Sequence, residues 1–260
     1  MHTELPLWVP ALLVLVVWSV YIGDRLLDAF SALRSARTQR LRERHYFHWR
    51  HRRILLPLAV VAASAAGLLI ACFMPVGIRQ RDSLLALAAL AYMTRVHARP
   101  RLPQSINRTL CPLLSKELLV GILFTAGCAL PALGRAAAPP TAALFIAFGF
   151  FALLAWLNCH AIERWETETA QAVAPSGASF ATPGILGLLG LLSSAAFFVS
   201  QPRPAALIAC AALSALLLAM LHHLRARLSP TALRAAADLA LLTPVLLVPL
   251  LFVSFAGQVR

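Results

Sequence analysis

"ILLPLAVVAASAAGLLIACF", residues 54–73, runs for twenty residues without a charge. An α-helix rises about 1.5 Å per residue, so this stretch is about 30 Å long, the thickness of a bilayer's hydrocarbon core. In lipid no water is present to satisfy exposed backbone groups, and a helix satisfies its own. This limits the stretch to few folds, and the rest of the chain is built in the same way. Hydrophobic residues make up 60% of the 260 and charged residues 13%. Soluble domains run near 45–50% apolar and about 25% charged. The composition excludes an ordinary soluble enzyme and predicts an all-α, polytopic membrane protein. No cleavable signal peptide is expected at the N-terminus, because Leu5–Ile22 lacks a basic leader and Asp24 and Arg25 stand where small residues would be.

Eight membrane helices are predicted over 5–23, 54–73, 83–97, 117–133, 140–160, 183–200, 204–222 and 235–256. The third has a short apolar core, Leu84–Met93, and must extend into polar flanks or tilt. The basic residues orient this bundle. Eighteen of the 23 Lys and Arg fall in alternate connections, nine of them between Arg25 and Arg53. Only Arg79, Arg81, Arg135, Arg203 and Arg260 fall on the other side. The positive-inside rule then makes the Arg-rich side cytoplasmic and places both termini outside. The net charge of +13 is read as topology and contact with anionic headgroups, not as nucleic-acid binding. The scattered cysteines (72, 111, 128, 159 and 210) have no C-x-x-C spacing and read as small apolar residues.

The carboxylates gather on the basic side. Asp24, Asp28, Glu43, Glu117, Glu163, Glu166, Glu168 and Asp238 all fall there, and only Glu4 and Asp82 do not. In "YIGDRLLDAF", Asp24 and Asp28 are spaced i, i+4, and a continuing helix puts both on one face near Tyr21. In "NCHAIERWETETA", Glu163 and Glu166 are spaced i, i+3. These two acidic ends lie four helices apart, so they share an orientation, as a four-helix pseudo-repeat (1–133 and 140–256) within one membrane domain (1–260) would give. Carboxylates beside cations suit magnesium bridged to substrate phosphates, with Arg and Lys taking the remaining phosphate charge. The plainer reading is ion pairing: Asp24 or Asp28 with Arg25 or Arg34, Glu163 with Arg164, and Glu166 or Glu168 with the basic loops.

This arrangement resembles the UbiA-type intramembrane prenyltransferases. "YIGDRLLDA" resembles the latter part of that family's first acidic motif. "LNCHAIERWETE" resembles its second, through Asn158, Glu163, Glu166 and Glu168. "AYMTRVHARPRLP", with Tyr92 and Arg95, stands where the family has a tyrosine-and-basic segment, and "KELLVGILFTAGCALP" resembles the helix that follows. The chain departs from the pattern in three ways. The first motif's Asn-Asp falls on Val20 and Tyr21, Glu replaces Asp in the second motif, and eight helices stand for nine. The resemblance implies a magnesium cofactor held by Asp24, Asp28, Glu163 and Glu166. It implies a diphosphate held by Arg95, Lys116 and Arg52, and a cavity lined by Tyr21, Tyr92 and Asn158. The implied partners are the lipid bilayer, a prenyl diphosphate and a lipophilic or aromatic acceptor. The alternative is a non-enzymatic transporter or assembly factor that reuses the bundle.

Other motifs weigh less. "RERHYFHWRHRR" places His45, His48 and His51 at successive threes, and reads as a basic, aromatic segment lying on headgroups rather than a metal site. A di-iron oxygenase would need clustered histidines, and no H-x-x-H-H occurs. Gly184, Gly187 and Gly190 read as a helix-packing stripe. Pro244 and Pro249 are expected to bend the last helix, and Asp238 to pair with Arg234.

Overall fold

The computed structural model describes residues 6–34, 43–97, 116–134, 139–170 and 181–242. The described residues are helical and contain no strand. In chain order the helices are α1 (Trp8–Arg34), α2 (Glu43–Arg50), α3 (Arg52–Phe73), α4 (Val76–His97), α5 (Lys116–Leu133), α6 (Ala142–Ala170), α7 (Thr182–Phe197) and α8 (Pro202–Leu224). A 3-10 turn, Arg225–Arg227, leads into α9, residues 230–242. Among the described residues four helices are long and apolar enough to cross a membrane: Trp8–Phe30, Arg52–Phe73, Ala142–Thr167 and Pro202–Arg227. Glu117–Leu133 and Thr182–Phe197 are apolar but shorter. The expected third span falls in α4, whose Arg79, Arg81 and Asp82 occupy its opening turns, and it is not among the four.

Two predicted boundaries move outward. α1 runs to Arg34 rather than stopping near residue 23, and α6 runs to Ala170 rather than 160. The segments Asp24–Arg34 and Ala161–Ala170 contain no Gly or Pro, so nothing ends the helix where the apolar stretch ends. Other ends follow local chemistry. α3 stops before Pro75, with Met74 extended at φ −85° and ψ 121°. Gln201, at φ −143° and ψ 70°, also leaves the helical region before Pro202, which opens α8 at a position where its missing N–H costs nothing. The bends expected at Pro244 and Pro249 lie outside the described residues, as do Arg99, Arg101 and the loop 171–180.

The chain divides into two compact units. The N-terminal unit comprises residues 1–110 and 126–137, and the C-terminal unit residues 111–125 and 138–260, so α5 contributes to both. In the N-terminal unit α1 and α3 pack through small residues. Ala59, Ala62 and Ala66 recur at i, i+3 and i+7 and are buried, and Trp8 stacks on Phe73 at 6.5 Å. α4 meets the second half of α5, where Arg81 donates to the Leu130 carbonyl at 3.3 Å.

The C-terminal unit is built on one stripe of α6. Leu154, Leu157, Asn158, Ala161 and Trp165 are buried at helical spacing. They pack with Leu186 of α7, Ala211, Ala215, Leu218 and Leu221 of α8, and Leu233, Ala237 and Ala240 of α9. α7 and α8 form a close hairpin. A Cβ at Gly187 would meet the Leu216 side chain at 2.6 Å, and one at Gly190 would meet Ala212 Cβ at 2.7 Å. Ser194 Oγ donates across the pair to the Ala205 carbonyl at 2.8 Å. Gly184, expected in the same stripe, has nothing near it, so the contact uses two of the three glycines.

The outer faces are apolar as well. Val61, Leu68, Leu84, Leu90, Leu188 and Leu192 are each at least 60% exposed. A water-soluble monomer rarely leaves apolar surface of this extent uncovered.

Candidate functional site

The acid-bearing end of α1 is helical throughout, so Tyr21, Asp24 and Asp28 lie within roughly 60° of one another around the axis. Buried Ile22 and Ala29 mark the packed side of this segment, roughly 120° away. Both aspartates are half-buried. Asp28 Oδ2 lies 3.8 Å from Arg25 Nη1, a contact long enough to be weak, and the Arg25 guanidinium sits 5.2 Å from the Tyr21 ring. α2 covers this end. Its His48 is buried and meets Tyr21 edge-on at 6.0 Å, and Trp49 faces Phe30 at 6.2 Å.

Arg52, expected at a diphosphate, donates from Nη1 to the Trp49 carbonyl at 2.9 Å and lies 4.4 Å over the Trp49 ring. Tyr92 is buried in α4. Arg95 belongs to α4 and Lys116 opens α5, but the side chains of both lie outside the described residues, as do those of Glu43, His45 and Glu168.

At the other acidic end α6 continues through Glu163, Glu166 and residue 168. Glu163 and Glu166 sit a third to half a turn, roughly 120–180°, from the buried stripe. Glu166 pairs with Arg234 of α9, the ion pairing with a basic segment that the sequence offered as its plainer alternative. A small pocket beside the pair is lined by Ile162, Trp165, Pro230 and Leu233. Asn158 is buried, and its Nδ2 donates to Asp238 Oδ1 at 3.4 Å, while its Oδ1 has no hydrogen-bond partner among the described residues. His160 stacks on Trp156 at 5.6 Å.

Sequence reasoning missed a buried polar contact next to this end. Trp165 Nε1 donates to Nδ1 of His222, a residue only 4% exposed, at 3.0 Å. Arg225 Nη1 lies 3.0 Å from the same ring's Nε2 and donates to the His222 carbonyl at 2.7 Å. Indole and guanidinium N–H groups only donate, so the imidazole stands between two donors from different segments. The available signals were the adjacent His222 and His223 near a helix end, and a tryptophan on the buried stripe of α6.

Among the described residues no three His, Cys, Asp or Glu side chains gather as metal ligands. Each acidic end supplies two carboxylates instead. That number fits magnesium, which keeps several waters and shares one or two carboxylates with substrate phosphates. It does not fit an all-protein metal cage. Cys72, Cys128 and Cys210 are free thiols. No protein-family model, curated protein or solved structure matches the chain.

Proposed function

We propose that the chain is a multi-pass membrane protein of UbiA-like build that transfers a prenyl group from a prenyl diphosphate to a lipophilic or aromatic acceptor. Membrane insertion, a cytoplasmic Arg-rich side and two outside termini belong to the proposal. They are supported by the four long apolar helices, the exposed apolar faces and the asymmetry of the basic residues. One observation carries the chemical reading. Asp24/Asp28 and Glu163/Glu166 ride on unbroken helices, on faces turned away from the buried residues of their own segments. Two carboxylates sharing one helix face at each end are what a magnesium ion bridging to substrate phosphates would use.

Asp24, Asp28, Glu163 and Glu166 would hold magnesium, with Glu166 giving up Arg234 to do so. When bound, the metal would neutralise the diphosphate. Arg95, Lys116 and Arg52 would take phosphate oxygens, Arg52 by leaving the Trp49 carbonyl. The allylic C–O bond breaks, and its electron pair leaves with the diphosphate. The acceptor's nucleophile forms the new bond and loses a proton. Apolar walls keep water from the allylic cation.

A second reading has its own observation. The Glu166–Arg234 pair and the Arg25–Asp28 contact are what a non-enzymatic transporter or assembly factor would show if its acids were structural. Release of inorganic diphosphate separates the two readings. Purified protein would be incubated with magnesium, geranylgeranyl diphosphate and a membrane-lipid extract as the acceptor source. Transfer predicts release that chelation abolishes and that Asp24→Asn or Asp28→Asn reduces at least a hundredfold, about 2.7 kcal/mol of transition-state stabilisation. No release with short, medium or long prenyl chains, from protein that remains folded, would leave the non-enzymatic reading.

A further inference from the structure

The α2–α3 corner is the feature that prenyl transfer does not absorb. α2 lies between two helices long enough to cross a membrane, the first ending at Phe30 and the next beginning at Arg52. A segment joining two such ends lies at the level of the lipid headgroups. α2 is held there by its inner side, through buried His48 against Tyr21 and Trp49 against Phe30. Arg52 is drawn in as well, by the Trp49 carbonyl and ring. What remains outside is mixed. Phe47 is 54% exposed, and Leu33 and Ile54 are also exposed, while Arg50 and Arg53 are exposed beside them. Apolar side chains next to exposed guanidinium groups match acyl chains beneath phosphates.

We propose that this corner is a docking surface for anionic lipid, with Arg50 and Arg53 binding headgroup phosphate and Phe47 and Ile54 entering the acyl region. The charge selects the occupant. A zwitterionic headgroup brings its own cation to the surface, and an anionic one does not. Asp24 and Asp28 are the acids on the neighbouring helix end, and Arg25 lies beside them. The inference rests on membrane insertion and is independent of prenyl transfer.

The test is quenching of Trp49 by brominated lipids in nanodiscs that hold the full chain. The Trp49 signal is taken as wild type minus Trp49→Phe. Brominated phosphatidylglycerol is compared with brominated phosphatidylcholine at low and high salt. The expected result is a preference for phosphatidylglycerol that falls about fivefold for each of Arg50→Gln and Arg53→Gln. Arg50→Lys and Arg53→Lys should keep most of it, and high salt should reduce it. An equal response to the two lipids in wild type, or a preference unchanged in the double Gln variant, overturns the proposal. Competition by soluble glycerol phosphate overturns it too, since the site would then be for a free phosphate ligand. No quenching by either lipid contradicts membrane insertion itself and so is told apart from a failure of lipid selectivity.

Discussion

The two polar ends of this molecule solve the same problem differently. At the end of α6, buried Trp165, His222 and Asn158 and half-buried Glu166 meet partners far away in sequence: Trp165 with His222, Glu166 with Arg234, Asn158 with Asp238. At the end of α1, the acids and aromatics are half-exposed, and the Arg25–Asp28 contact is local and long. A buried polar group left unsatisfied costs about 1–3 kcal/mol, whereas an exposed ion pair contributes about 0–1 kcal/mol. The C-terminal end therefore depends on its polar contacts to hold α6, α8 and α9 together. The N-terminal acids lie on a half-exposed helix face, where side chains can also meet something outside the chain.

The sharpest way to break this comparison is to remove His222. His222→Ala leaves the Trp165 indole N–H unsatisfied and opens a cavity, and should cost about 2–4 kcal/mol in detergent unfolding. Asp28→Ala should cost under about 0.5 kcal/mol in the same assay. Equal losses would erase the contrast.

Glycines sharpen it at the next level. A Cβ at Gly121 would run into the Ala152 carbonyl of α6, which is backbone and cannot swing aside. Gly121→Ala should destabilise by about 1–3 kcal/mol. Gly23, inside the acidic end of α1, has nothing within 4 Å. Gly23→Ala should stabilise by about 0.5–1 kcal/mol through helix propensity alone, read as a shift of the unfolding midpoint.

The smallest effect lies between ion pairs. A double-mutant cycle on Glu166 and Arg234 should return a coupling of about 0.5–1 kcal/mol, because Glu166 is largely shielded at 17% exposure. The same cycle on Arg25 and Asp28 should return a few tenths of a kcal/mol or less, its two charges standing 3.8 Å apart.

Helices were legible wherever apolar runs were long, as at residues 54–73, because length and hydropathy in lipid leave one choice of backbone. Their ends were less so. "DRLLDAFSALR" is polar enough to read as a loop, but every residue in it tolerates a helix, and α1 continues through it. That continuation was the condition attached to placing Asp24 and Asp28 on one face. The partners at the α6 end were not legible. Trp165 and His222 are 57 residues apart, and nothing in either segment names the other. Arg234 was expected beside Asp238; the structure pairs it with Glu166, because α9 lies along α6, and Asp238 accepts from Asn158. Arg95 and Lys116 fall where side chains are outside the described residues, so their expected role stays with the proposal.

The contrast between the two ends comes to one measurement. Thermal unfolding of wild type, Asp24→Asn, Asp28→Asn and His222→Leu would be followed with and without magnesium and geranylgeranyl diphosphate. Ligand at a hundredfold excess over Kd should stabilise wild type by about 2.7 kcal/mol. The two Asn variants should match wild type when unliganded and lose the ligand shift. His222→Leu should unfold earlier and keep it. If both Asn variants unfold early and wild type gains nothing from the ligand, the aspartates of α1 hold the fold, and the account of the two ends is wrong.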